Sequence, residues 1–293
     1  MQRNIQRNHK LAGIAGALVA ALALGSSPAH ALIDGTTATG GSEWVFAAWG
    51  MDAEGKGVGY VYDLETALTL ESFIGADVAT NQTPSTALPS SLSTPFFQGV
   101  LPQFASFQAL LANPNGFVWN LAAAESIGRS RVVSTVYEMP SVTPRNSDIK
   151  NFADSFNYFS AAAATKGTHP LVADGVAFDL READGNAYPG PSATSVYGQN
   201  FGGASPELNN AAGPGAQLPL VMFWQKSLLS SQANSAGGFD ALSQDGRPVV
   251  ARMEFGANGA MLTVTAVPEP SESALWLAGL GLLGLIARRR LNG

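Results

Sequence analysis

The segment Glu43-Trp-Val-Phe-Ala-Ala-Trp-Gly50, followed closely by Val58-Gly-Tyr-Val-Tyr-Asp63, decides the fold class of this chain. Both stretches are rich in aromatic and β-branched residues, which favour extended strands. Residues 52–57 lie between them and supply the Asp and Gly that tight turns use. The pattern therefore predicts an antiparallel hairpin over residues 43–63.

Further stretches along the chain have the same β-forming composition. They are residues 116–122, 131–137, 220–224, 248–255 and 261–265. The first two are close enough in sequence to pair with each other, and the turn Gly256-Ala-Asn-Gly259 joins the last two. We therefore predict strands in both the early and the late parts of the chain.

Two stretches have the periodicity of helices. Residues 104–111 place apolar side chains on one face, and Asn113-Pro114 ends that helix. A longer helix, with Ser147 as its expected N-cap, carries an apolar stripe that we expect to face the core. The stripe consists of Ile149, Phe152, Phe156 and Phe159. With loops over 80–95 and 184–219, these elements predict a mainly β body, an antiparallel β-sandwich with a pair of packed helices.

The composition of the middle of the chain excludes several classes of function. The whole chain has a formal charge of −6, but residues 32–266 contain ten Lys and Arg against twenty Asp and Glu, a formal charge of −10. An acidic body argues against nucleic acid as a partner, because binding to phosphates requires a basic surface. The chain has no cysteine, which excludes disulfides, thiol catalysis and cysteine-bound metals.

The N-terminus has the three regions of a secretory signal peptide. A stretch with three basic residues precedes an apolar run over residues 11–24, and Ser-Ser-Pro ends that run. Ala29 and Ala31 provide the small residues that signal peptidase reads, so we expect cleavage after Ala31. The pattern predicts a signal peptide with an N-terminal signal helix over residues 1–31, and signal peptidase as a partner.

The C-terminal segment combines a rigid tripeptide, an apolar run and a basic cluster. Pro268, Glu269 and Pro270 disfavour a helix and suit an enzyme that reads extended peptides. Residues 274–287 carry no charge, and as a helix they would be about 21 Å long, a short transmembrane segment. A buried core helix and an ordinary stop-transfer anchor are the alternatives. The cytoplasmic stop would be Arg288, Arg289 and Arg290.

Taken in this order and place, Val-Pro-Glu-Pro, a short apolar run and an arginine cluster resemble the PEP-CTERM sorting signal of Gram-negative bacteria. The resemblance implies processing by an exosortase, a transpeptidase-like membrane enzyme that cuts near Pro-Glu-Pro. It divides the chain into a signal peptide (1–31), an exported globular domain (32–266) and a sorting tail (267–293). It also implies transient anchoring and a final place at the cell surface or in the extracellular biofilm matrix. The body resembles a recurring, uncharacterised type of exported PEP-CTERM body.

Few residues of the body point to catalysis. His169 is the only histidine of residues 32–266, and the proline after it indicates a turn. The chain has no Gly-x-Ser-x-Gly elbow, so a serine hydrolase is not supported. Glu125 and Glu138 flank predicted strands and could form a glycosidase-type pair, although solvated strand ends are the favoured interpretation. The acidic loops 52–57 and 179–185 lack the alternating oxygen ligands of a calcium site, so we interpret them as turns.

These observations favour an exported protein that is structural or adhesive and not an enzyme, without a cofactor or a metal. The expected partners are signal peptidase, an exosortase-type enzyme, the membrane through residues 274–287, and extracellular polysaccharide. Two alternatives stay open: a carbohydrate-binding or carbohydrate-active protein of the same matrix, and a simple single-pass membrane protein. A cleft with two carboxylates would favour an enzyme, and an aromatic platform without them would favour a lectin.

Overall fold

The computed structural model of the protein describes residues 43–64, 69–75, 82–126, 128–172, 174–200, 210–257 and 259–267, together with residue 280. Within these ranges eleven strands form one antiparallel sheet that curls on itself, and helices pack on it. The mainly β fold predicted from the sequence is therefore confirmed. The signal helix predicted over residues 1–31 lies outside the described residues, as does the transmembrane helix predicted over 274–287 apart from Leu280.

The strands in chain order are β1 (Val45–Met51), β2 (Gly57–Asp63), β3 (Phe97–Val100), β4 (Phe117–Glu125), β5 (Arg131–Thr135), β6 (Val176–Arg181), β7 (Gln217–Trp224), β8 (Gly238–Ala241), β9 (Ser243–Gln244), β10 (Arg247–Gly256) and β11 (Gly259–Ala266). Their order across the sheet is β3-β11-β10-β7-β5-β4-β1-β2-β6. In addition, β8 pairs with β7, and β9 pairs with β10.

The helices of the described residues are mostly short. The α-helices are α1 (Leu70–Ile74), α2 (Phe104–Leu110), α3 (Asn146–Ala163) and α4 (Val196–Asn200), and the 3₁₀ helices are Glu182–Ala187 and Ser230–Gln232. None of the helices in this part of the chain is both long and apolar enough to cross a membrane.

The predicted hairpins are present in the sheet. Strands β1 and β2 pair from Val45 opposite Asp63 to Met51 opposite Gly57. Their turn is closed by Asp52, whose N–H donates to the carbonyl of Lys56 at 2.9 Å. The strand pairs β4–β5 and β10–β11 are also antiparallel neighbours, as the sequence predicts.

The sheet changes direction along β7, which is longer than the sequence predicts. Residues 217–219 pair with β10, whereas residues 220–224 pair with β5 on one side, and β8 begins to pair with β7 at Val221. Pro219 lies where the partners change, and its carbonyl accepts a hydrogen bond from Val136 at 3.0 Å. A proline has no N–H to donate to a ladder, so it is tolerated at such an interruption. The partner change lets one sheet fold into two facing arms.

The inner core lies between these arms and is rich in aromatic rings. Phe104 of α2 is the link, because its ring centroid lies 4.9 Å from that of Tyr60 on β2 and 6.4 Å from that of Phe255 on β10. Phe46 stacks on Trp119 of the neighbouring strand with centroids 5.6 Å apart. The buried cluster joins the rings of the first arm to aliphatic side chains of the other arm, such as Met253 and Leu262. Their burial removes apolar surface from water and holds the arms face to face.

Helix α3 covers the outer face of the sheet. Its predicted apolar stripe is buried, and the sheet beneath it offers small side chains such as Ala47 and Ala122. Ring centroids of Phe159 on α3 and Tyr197 on α4 lie 4.0 Å apart, so the two helices pack together. The predicted N-cap is wrong: α3 is capped at Arg145, whose N–H donates to the Asp148 carboxylate at 2.9 Å.

The predicted loops hold more structure than their composition indicates. The 3₁₀ helix Glu182–Ala187, helix α4 and the start of β7 all lie within the loop predicted over 184–219 or at its edges. Strands β3, β6, β8 and β9 were not predicted either. They are only two to six residues long, too short for a clear alternating pattern, and the partners of β3 and β6 are distant in sequence.

Candidate functional site

The strand that leads into the C-terminal segment is firmly built into the sheet. Strand β11 lies between β10 and β3, with Ala266 opposite Val249 and Val264 opposite Phe97. Beyond the strand, the N–H of Val267 donates to the carbonyl of Pro248 at 2.9 Å. The backbone is therefore held by the sheet as far as Val267.

The pairing of β11 with its two neighbouring strands stops at different residues. Because the backbone groups of successive residues point to opposite sides, the N–H of Val267 faces β10 and the groups of Ala266 face the other edge. On that edge the pairing with β3 stops at Val264, whose carbonyl accepts from Phe96 at 2.8 Å. The last residues of the strand are thus paired toward β10 only.

The partner strand is braced where it holds the strand end. A two-residue turn, Asp245-Gly246, joins β9 to β10, and both residues have positive φ angles of 52° and 78°. Such angles are those of a type I′ hairpin turn, for which Asp-Gly is a preferred sequence. Asp245 accepts a hydrogen bond from Ser90 at 2.8 Å, and the Gln244 amide donates to the carbonyls of Pro89 and Leu92. The sheet therefore presents the strand end from a rigid support.

Of the two acidic stretches considered for calcium, residues 52–57 form the turn between β1 and β2. Residues 179–185 are the end of β6 and the start of a 3₁₀ helix, so the turn predicted there is wrong, and Arg181 of this stretch contacts the β1–β2 turn. The guanidinium of Arg181 lies 2.6 Å from Asp52 and 2.5 Å from Asp179. The pKa of the Asp52 carboxyl is lowered, chiefly because the backbone N–H of Lys56 donates to it. Within the described ranges no three His, Asp or Glu side chains are grouped as a metal site.

Asp184, in the second acidic stretch, closes a further contact with the end of α3. Its carboxylate forms an ion pair with Lys166 at 2.7 Å and accepts the backbone N–H of Arg181. Burial raises the pKa of Asp184, but the contacts with Lys166 and Arg181 outweigh burial, and its pKa is lowered. The negative charges of this stretch are therefore used for local structure.

The two glutamates considered as a carboxylate pair have separate surroundings. Glu125 forms an ion pair with the buried guanidinium of Arg131, which also donates to the carbonyl of Gly75 at 2.9 Å. Glu138 is exposed beyond the other end of β5, a strand about 13 Å long. The structure does not bring the two carboxylates together.

His169 lies in the turn after α3, as the sequence indicates, but it is fully buried. Its ring packs on Gly175, where an added Cβ would lie 2.4 Å from Nδ1. Burial lowers the pKa of His169 to about 4, and an interaction with the backbone of Val61 opposes the shift only in part. The imidazole is therefore neutral at pH 7.

A buried polar group on the outer face of the sheet was missed in the sequence. The Tyr197 hydroxyl donates to the Asn120 side-chain oxygen at 3.1 Å. Nearby, Thr135 Oγ1 accepts the N–H of Leu121 and donates to the carbonyl of Asn210. The only sequence signal is an Asn inside the otherwise apolar stretch 117–124. These contacts replace ladder hydrogen bonds and tie α4 to the sheet.

Comparison with known proteins identifies the segment that β11 carries. Residues 266–290 match the family model of the PEP-CTERM protein-sorting motif. The chain carries a PEP-CTERM sorting signal. The match begins at the last residue of β11, so the sorting signal follows the body without an intervening linker. Neither curated proteins nor solved structures give a significant match to the chain.

The sorting signal marks an exported protein that is processed by an exosortase-type enzyme. The matched range contains the predicted processing motif and the predicted arginine stop, and these residues lie outside those that the structure describes. Ala29 and Ala31, the residues predicted for signal peptidase, lie outside both the match and the described ranges. The roles of all these residues remain predictions. The residues concerned in the matched range are Pro268, Glu269, Pro270, Arg288, Arg289 and Arg290.

Proposed function

We propose that the protein is a non-enzymatic structural or adhesive component of the cell surface or the extracellular polysaccharide matrix. It is exported through its signal peptide, anchored transiently through residues 274–287, and then processed at its sorting signal. The observation that carries this proposal is the PEP-CTERM match, which begins at Ala266, the last residue of β11.

The chemistry of the body supports a structural function. The acidic side chains that the sequence singled out make contacts within the fold: Asp52 and Asp184 close loops, and Glu125 pairs with Arg131. The net charge of residues 32–266 is strongly negative, and such a charge favours solubility of an exported domain. Large aromatic clusters supply the stability that disulfides provide in many exported proteins.

Sorting is tested by replacing Pro268, Glu269 and Pro270 together by Ala in the full chain. We expect the variant to accumulate in the membrane fraction at its unprocessed mass, because the extended tripeptide is lost. The measurement is cell fractionation followed by intact-mass determination of the C-terminus. A control with Ser271→Ala and Ser273→Ala keeps the tripeptide and should be processed normally.

If the protein were a simple single-pass membrane protein, the triple variant and the wild type would have the same location and mass.

A second experiment separates a structural protein from a carbohydrate-active one. The mature body is incubated with matrix polysaccharide of the producing cells. A structural component is expected to leave the chain length of the polysaccharide unchanged. Release of shorter sugars would contradict the non-enzymatic function, and saturable binding of defined oligosaccharides would indicate a lectin.

A further inference from the structure

The sheet holds the chain up to the residue before Pro-Glu-Pro, and this has a consequence for processing. We propose that the end of β11 is a positioning device: the pairing of Ala266 and Val267 with β10 sets where the segment available to the processing enzyme begins. The inference rests on the proposed processing at the sorting signal, and it names body residues that position that site.

The first argument is the use of backbone groups. An enzyme that reads an extended peptide binds it through main-chain hydrogen bonds, as added strands do. The N–H of Val267 already donates to Pro248, and Ala266 is only 7 % exposed opposite Val249. Residues up to Val267 therefore enter an active site only if the strand end leaves the sheet.

The second argument is the chemistry of the prolines. In a continued strand, the backbone groups of Pro268 and Pro270 would point in the same direction as those of Ala266, away from β10. Prolines lack the N–H that pairing on that side requires. The two prolines therefore exclude further pairing on the side that faces β3, where the observed pairing has already stopped at Val264.

The third argument is reach. The residues between Val267 and the apolar run number six, residues 268–273, and even fully extended they span only about 20 Å. With residues 274–287 in the membrane, the body stands close to the membrane surface. Any part of residues 268–270 drawn into the sheet would then be difficult for a membrane enzyme to approach.

The fourth argument is the integrity of the body. Strand β3 pairs only with β11 in the described sheet. A cut upstream of Val267 would remove part of β11, expose the inner core beside Val264, and weaken β3. A cut after Val267 leaves every described strand complete.

The test uses the full chain in cells that contain an exosortase-type enzyme, with the processed fraction followed by pulse-chase and the mature C-terminus determined by mass spectrometry. In one variant, Thr265 and Ala266 are deleted. This keeps Val267-Pro-Glu-Pro270 and the alternation of the strand, but it places Pro268 opposite Val249. We expect processing to slow at least tenfold.

The matched control duplicates Thr265-Ala266, which moves the same motif two residues away from the sheet. We expect the control to be processed at the wild-type rate or faster. A third variant combines the deletion with a duplication of Ser271-Glu272, which restores the length between sheet and membrane. We expect no rescue, because the tripeptide still lies against β10.

Wild-type processing of the deletion variant, rescue by the restored length, or a wild-type mature chain that ends before Val267 would each overturn the proposal. Protease resistance of the body shows whether the deletion variant folds, and the wild-type C-terminus tests the proposal independently of any variant. If the wild type itself is not processed, the proposed function is wrong. That result differs from a failure of the positioning proposal, in which the wild type is processed but the variants do not behave as expected.

Discussion

His169 shows what a single residue gains from its surroundings. A histidine before a proline at the end of a helix reads as a turn residue, yet its imidazole is completely buried against Gly175. Burial disfavours the charged form, which is why its pKa falls to about 4 instead of the usual 6.5. Because the folded protein disfavours the protonated imidazole, the free energy of unfolding depends on pH.

We predict that the free energy of unfolding decreases as the pH falls from 6.5 to 4. In this window the unfolded chain binds a proton at His169 and the folded chain does not, so protonation favours unfolding. The stability is fully present above pH 6.5, and a shift to about 4 corresponds to a loss on the order of 3 kcal/mol. Urea titrations at several pH values measure this slope.

The control for this prediction is His169→Leu, which places an apolar side chain of similar size, without a titratable group, in the same position. Its stability should vary much less between pH 6.5 and 4 than that of the wild type. An equal slope in both proteins would assign the pH dependence to other groups. Asp52 and Asp184 have lowered pKa values and therefore act mainly at more acidic pH.

Among the elements, the β9–β10 hairpin has the closest connection to sorting. Its Asp245-Gly246 turn was missed in the sequence, although Asp-Gly between short polar and β-forming residues is a strong hairpin signal. Strand β9 has only two residues, Ser243–Gln244, so no alternating pattern marked it. The hairpin matters because Pro248, which anchors Val267, is two residues beyond the turn.

We predict that Gly246→Ala destabilises the body by about 1 kcal/mol, because an L-residue is strained at a positive φ. The φ of Gly246 is 78°, and an added Cβ would touch nothing within 4 Å, so the effect isolates the backbone conformation. Gly256→Ala is the matched control, since its Cβ also meets nothing and its φ is not positive. Chemical denaturation measures both, and equal stabilities would contradict the type I′ assignment.

At the scale of the whole molecule, β11 belongs to the body and the segment after it serves sorting. The boundary lies at Val267, the last residue with a sheet hydrogen bond in the part of the chain that the structure describes. The predicted boundary between an exported domain at 32–266 and a tail at 267–293 is close to this residue, but the division into domains stays a prediction.

We predict that a chain comprising residues 32–267 unfolds within about 2 °C of the chain comprising residues 32–293, because no described contact is lost. A chain ending at Gly256 lacks β11 and its buried side chains Leu262 and Val264. Losing them should remove more than about 5 kcal/mol, which is comparable to the whole stability of many domains. Thermal unfolding followed by circular dichroism distinguishes the chains; cooperative unfolding of the shorter chain at the same temperature would contradict the assignment.

Much of the fold was predictable where neighbouring residues decide the structure. The hairpin of β1 and β2 has aromatic strands around an Asp and Gly turn, and the stripe of α3 has a clear helical period. Strand β6 was not predictable in this way. Among the described strands it pairs only with β2, more than one hundred residues earlier in the chain, and that pairing has no local signal.

The candidate chemistry of the body was predictable only as a set of residue types. The sequence offered Glu125 and Glu138 as a possible pair, and the ion pair with Arg131 and the length of β5 separate them. It treated the two acidic loops independently, whereas Arg181 joins Asp52 to Asp179. Such contacts depend on strand register, which single-chain patterns do not contain.

The sequence by itself determined the sorting signal, the mainly β class and the acidic, cysteine-free body. These are local properties: a processing enzyme reads a short linear motif, and strands and turns follow from neighbouring side chains. Only the tertiary structure decided the curl of the sheet at Pro219, the burial of His169, and the anchoring of Val267 on Pro248. Those three depend on packing and hydrogen bonds between residues that are distant in the chain or brought into contact by folding.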